Sequence, residues 1–74
     1  MRMNYIVYVC GDNEYTITFE RFNCKKLDTV KKNMVKLLNN VLYRACIKGA
    51  TKIKIYRTPD GYNREEKPVF TMDI

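Results

Sequence analysis

Apolar and polar positions change their spacing three times along this chain, and each change marks an element. Residues 3–10, MNYIVYVC, are rich in β-branched and aromatic types and read as a strand. Met3, Tyr5, Val7 and Val9 fall on one side of it, and Ile6, Tyr8 and Cys10 on the other. A strand that is apolar on both sides belongs at the centre of a sheet. GDNE reads as a turn, because Gly, Asp and Asn tolerate positive φ. Residues 14–20, EYTITFE, alternate, with Tyr15, Ile17 and Phe19 inward and Thr16, Thr18 and Glu20 outward. The two segments form a hairpin.

From about residue 25 the period becomes 3.6. Leu27, Val30, Met34, Leu37, Leu38, Val41 and Ala45 fall within about 100° of arc, the core stripe of one amphipathic helix of about 22 residues. Asn23 or Asp28 is placed to cap its start, and Gly49 to end it. Residues 51–57, TKIKIYR, alternate again, with Ile53 and Ile55 inward and Lys52, Lys54 and Tyr56 outward. TPDG is a turn, YNREEK a charged loop, and Pro68 opens a last strand, VFTMDI, with Phe70, Met72 and Ile74 on the core side.

The order β-β-α-β-β predicts a single α+β domain over residues 1–74, a two-layer fold of a four-stranded sheet with one long helix on one face. Strand order 2-1-3-4 makes the first and third strands antiparallel neighbours and is favoured. Order 2-1-4-3, with the first and last strands parallel at the centre as in the β-grasp, is the alternative. One helix covers one face. Ile6, Tyr8, Tyr56 and Val69 are therefore expected to project from the uncovered face beside Lys52 and Lys54. Apolar surface of that kind marks an interface with a protein partner or a second copy, or a platform on which single-stranded bases stack.

Charge sharpens this picture more than composition does. With 46% hydrophobic and 30% charged residues the chain is built to fold. Its net charge of +6 resides in one segment. Between Lys25 and Lys48 stand Lys25, Lys26, Lys31, Lys32, Lys36, Arg44 and Lys48 against Asp28 alone, while positive and negative charges cancel elsewhere. On a helical wheel Lys25, Lys32, Lys36 and Tyr43 lie opposite the core stripe, a solvent ridge of about 27 Å. Lysine at the positive end of a helix dipole, and the like-charged pair Lys32 and Lys36, are both unfavourable. Attraction for phosphates accounts for them, and so would an acidic protein partner. Lysine as a helix former and solubiliser is the competing account.

Chemistry is limited by what is missing. Without His or Ser the hydrolase triads are excluded, and the glycines, at 11, 49 and 61, make no phosphate loop. No enzyme activity, cofactor or metal is expected. Cys10, Cys24 and Cys46 lack metal or redox spacing and read as reduced, buried thiols. The N-terminal apolar stretch is too short for a signal peptide, and no segment approaches the roughly 20 apolar residues of a membrane span, so a cytoplasmic protein is expected. Residue usage is that of A+T-rich coding, and short chains of this pattern are common products of phages and mobile elements. Two function classes follow. One is a small binding module whose basic helix engages nucleic acid or a nucleic-acid-handling complex. The other is a protein-binding inhibitor or adaptor acting through the open sheet face, for example a phage antagonist of a host defence nuclease such as an anti-CRISPR protein.

Overall fold

The computed structural model describes residues 2–74. Its elements are β1 (Met3–Cys10), β2 (Thr16–Cys24), α1 (Leu27–Leu38), α2 (Val41–Cys46), β3 (Lys52–Arg57) and β4 (Phe70–Asp73). The strands form one antiparallel sheet in the order β2-β1-β3-β4, so the favoured α+β topology holds and the parallel-centred alternative does not. β1 is central, pairing with β2 from Met3↔Cys24 to Cys10↔Thr16 and with β3 from Tyr5↔Arg57 to Cys10↔Lys52. Its two apolar sides are explained by that position.

Tyr5, Val7 and Val9 of β1 share a buried cluster with Val30 and Met34 of α1, Ile53 and Ile55 of β3, Cys24 and Ile47. Phe70, Met72 and Ile74 pack against it, as their alternation predicts. The cluster is mainly aliphatic at its centre and sealed there: Val7, Val9, Val30, Met34 and Ile55 are all 0% exposed.

The single long helix is a misreading. Helix α1 has 12 residues and ends at Asn39, whose N–H donates to the Val35 carbonyl at 3.0 Å. Asn40, with an extended ψ of 122°, opens α2, and its side-chain oxygen accepts from the Tyr43 N–H at 3.1 Å. This is an ordinary N-cap, and it restarts the helix with a new phase. Val41 and Leu42 are consequently 82% and 78% exposed, and Ala45 is exposed as well. The true core stripe stops at Leu37 and Leu38. Neither Asn23 nor Asp28 caps α1; Lys26 holds that position without a side-chain cap bond, and Asp28 sits in the first turn, where its charge suits the helix dipole. Gly49 has the positive φ of 91° expected of it, beyond the end of α2 at Ile47.

Strand β2 also departs from its pattern. The register slips between Val9 and Cys10, which face Thr18 and Thr16, so Ile17 is an extra, bulged residue. Ile17 packs with the core, whereas Phe19 (51% exposed) lies opposite Tyr8 on the other face. Tyr15, at 56% exposed, is not in the core either. Beyond the bulge Glu20 is paired with Val7 and thus faces the helices. Among the described residues no helix is long and apolar enough to cross a membrane.

Candidate functional site

The basic segment is the first candidate. Lys32 and Lys36 lie one turn apart on α1 and are exposed, as are Lys25, Lys26, Arg44 and Lys48. Lys25 precedes the helix, and Lys26 is its N-cap. Both stand at the positive end of the dipole, and at 12 residues α1 is about 18 Å long. Lys31 is turned inward, its ammonium 4.0 Å from the centre of the Phe70 ring. None of the seven cations forms an ion pair with a described residue; the ion pairs found among those residues belong to Glu14.

Tyr43 does not belong to this ridge. It is half-buried on α2, and its hydroxyl donates to Glu20 Oε2 at 3.3 Å. Burial, followed by the Glu20 charge, pushes its pKa up to about 12. The folded-state value lies above the unfolded one near 10, so this bond stabilises fully below pH 10 and its contribution is lost as pH rises through about 12. The break at Asn39 and Asn40 therefore converts a presumed ridge residue into a brace between α2 and β2. Cys46, expected in the core, is exposed for the same reason, while Cys10 and Cys24 are buried.

The second face of the sheet is not open. Ile6 is 3% exposed and Tyr56 7%, and Tyr8 is half-buried; Val69 packs with the helix-side cluster instead. The cover is the segment between β3 and β4. Thr58 N–H bonds the Asn4 carbonyl at 2.9 Å, and the Arg21 guanidinium donates to the Gly61 carbonyl at 3.3 Å. Asp60 folds the turn by accepting from the Tyr62 and Asn63 N–H groups at 2.8 and 2.7 Å, and these bonds hold its carboxyl below the usual range. Arg64 then lies 4.4 Å from the Tyr56 ring centre and 5.8 Å from that of Tyr8, while its Nη1 donates to the Glu65 and Glu66 carbonyls. The loop is thus anchored on both sides of Ile6. Tyr8 meets Tyr56 edge-on at 5.5 Å and Phe19 at 6.4 Å. No sequence period marks a loop as a lid. Its signal lay elsewhere, in aromatic residues that needed cover and an arginine within reach.

Beside this aromatic group lies a cleft of about 290 Å3 lined by Tyr8, Cys10, Glu14, Thr16, Lys54, Tyr56 and Arg64. Lys52 and Lys54, expected on an open sheet face available to a partner, are half-buried and share one carboxylate: Glu14 Oε1 is 2.9 Å from Lys54 Nζ and 3.6 Å from Lys52 Nζ. The Lys54 bond, aided by Lys52, holds the Glu14 carboxyl below its ordinary value, and Glu14 raises that of Lys54 in return. Glu14 reaches them from the β1–β2 turn, where Asn13 and Glu14 have φ of 61° and 59°. Gly11 lets the Tyr15 ring lie close against the turn, because a Cβ there would lie 2.8 Å from that ring and push the exposed side chain aside. No family model, no curated protein and no solved structure matches the chain.

Proposed function

We propose that this protein is a small, non-enzymatic binding module, from a phage or mobile element, whose basic helical segment engages the phosphate backbone of nucleic acid. The observation that carries the reading is the contrast in neutralisation. Lys52 and Lys54 have Glu14, whereas Lys25, Lys26, Lys32, Lys36, Arg44 and Lys48 are exposed and have no carboxylate partner among the described residues. Unpaired exposed cations release counterions when they meet phosphates, and that release drives sequence-independent binding. Lysine contacts phosphates as a point charge, so register is set without bases being read.

The test is a salt titration. Wild-type protein should shift DNA or RNA at micromolar concentration in low salt. The double variant Lys32→Gln, Lys36→Gln should bind more weakly on every sequence, with the slope of log K against log salt reduced by about two. Failure of the wild type to bind any nucleic acid under those conditions would end this reading.

A protein-binding inhibitor or adaptor is the second reading, and the corner between the helices favours it over the sheet face. Val35 on α1 and Val41 and Leu42 on α2 are 45%, 82% and 78% exposed. Leu42→Gln separates the two readings, since it should abolish a protein contact and leave nucleic-acid binding unchanged.

A further inference from the structure

The cleft on the second face is a different place from the basic helices, and its chemistry is that of a site already filled by one of the protein's own groups. Three cations converge on it or its rim: Lys54 and Arg64 line it, and Lys52 stands one pleat along β3 on the same side. Thr16 adds a hydroxyl, and the Tyr8 and Tyr56 rings form an apolar wall. The carboxylate of Glu14 sits where an anion would sit, bridging Lys52 and Lys54.

Two features make Glu14 a replaceable occupant. Its side chain is 62% exposed, so the carboxylate can leave for solvent without disturbing the core. Its backbone φ of 59°, next to Asn13 at 61°, lies in the left-handed region that a glutamate adopts at a cost and a glycine does not. The turn could have been built more easily with glycine, and a glycine would have left the two lysines without a counter-charge. Arg64, by contrast, lies 4.4 Å from the Tyr56 ring centre and donates to the Glu65 and Glu66 carbonyls of its own loop, which places its guanidinium at the wall of the cleft.

We propose that this cleft binds a phosphate monoester, its phosphoryl group displacing the Glu14 carboxylate from between Lys52 and Lys54 and drawing on Arg64. A phosphate dianion carries twice the charge of the carboxylate and offers three oxygens to three cations, which suits this set better than Glu14 does. The volume of about 290 Å3 accommodates the phosphoryl group with a small organic remainder beside Tyr8. The monoester is carried either by a small metabolite or by the 5′ end of a nucleic-acid strand; internal phosphodiesters lack the second charge.

The experiment is a nuclear magnetic resonance titration of backbone amides in wild type, Glu14→Gln and Lys54→Gln, all checked for folding by circular dichroism. The probes are inorganic phosphate, uridine monophosphate, and a tetranucleotide with and without a 5′-phosphate. Phosphate and uridine monophosphate should perturb amides of Cys10, Thr16, Lys54, Tyr56 and Arg64 in the wild type. Glu14→Gln should bind them about tenfold more tightly, through loss of the competitor, and Lys54→Gln should lose the effect. A stronger response to the phosphorylated tetranucleotide than to uridine monophosphate places the monoester on a strand end, and the reverse places it on a metabolite. Equal binding of the two tetranucleotides with perturbations confined to residues 25–48, or unchanged phosphate affinity in Glu14→Gln, would overturn the proposal. Perturbations confined to residues 25–48 would count for the helical reading while overturning the cleft, and unchanged phosphate affinity in Glu14→Gln would overturn the cleft and leave the helical reading to its salt titration.

Discussion

The two faces of the sheet are closed by different physics. On one, valine, isoleucine and methionine from β1, β3 and α1 interlock with no solvent access at Val7, Val9, Val30, Met34 or Ile55. On the other, aromatic rings are covered by a loop whose contacts are a guanidinium over Tyr56, an Asx turn at Asp60 and a few backbone hydrogen bonds. The first face has regular elements behind it and depends on volume. The second depends on a small number of polar contacts, each weak by itself. Stability should therefore be concentrated on the helix side, and local opening on the loop side.

The sharpest way to break that comparison is to truncate Met34. It is fully buried between α1 and the sheet, so Met34→Ala removes transfer energy and leaves a cavity, at a cost of about 2–5 kcal/mol. In a domain of 74 residues that is a large share of the total. Urea denaturation should show a large fall in midpoint. A loss below about 1 kcal/mol would mean that the helix layer is not where the fold is held.

A smaller effect is expected on the opposite face. Arg64→Ala removes the cation from the Tyr56 and Tyr8 rings, an interaction worth about 0.5–1 kcal/mol at an exposed site. The global midpoint should move little. Hydrogen exchange should speed up at the Glu65 amide, which donates to the Arg57 carbonyl at 2.8 Å, and leave Val7 and Ile55 protected. Loss of protection at both faces together would show that the loop is part of one cooperative unit.

Sequence patterning read the helix-side face well because that face is built from regular periods. The alternation of β1 and β3 and the inward placement of Val30 and Met34 follow from spacings of two and 3.6, whereas those spacings leave the strand order between two arrangements, of which the structure has β2-β1-β3-β4. Three features escaped it, each for a physical reason. Tandem asparagines at 39 and 40 stopped α1 and capped α2, while the apolar period continued across them and disguised the break. One bulged residue, Ile17, reversed the parity of β2, so an apparently clean alternation placed Phe19 on the wrong face. The loop carries no period at all, and the burial of Ile6 and Tyr56 depends on where it folds back. Of the candidate sites, the unpaired lysines were legible from charge alone. The Glu14 bridge was not, because it joins a turn to β3 across the sheet.

The smallest expected effect tests the corner between the helices. Sequence periodicity makes Val41 part of the core stripe, with Leu42 on its flank, and a polar substitution in such a stripe costs several kcal/mol. The structure places Leu42 at 78% exposure, where little apolar area is removed from water on folding. Glutamine and leucine have similar helix propensities, so Leu42→Gln changes neither the backbone preference of α2 nor the capping of Asn40 onto Tyr43. Its stability change should stay within about 0.5 kcal/mol, as for surface positions in general. If Leu42→Gln destabilises by as much as Met34→Ala, α1 and α2 form one continuous helix and the restart at Asn40 is wrong. If stability is unchanged, Leu42 lies outside the packed core and the helix restart at Asn40 stands.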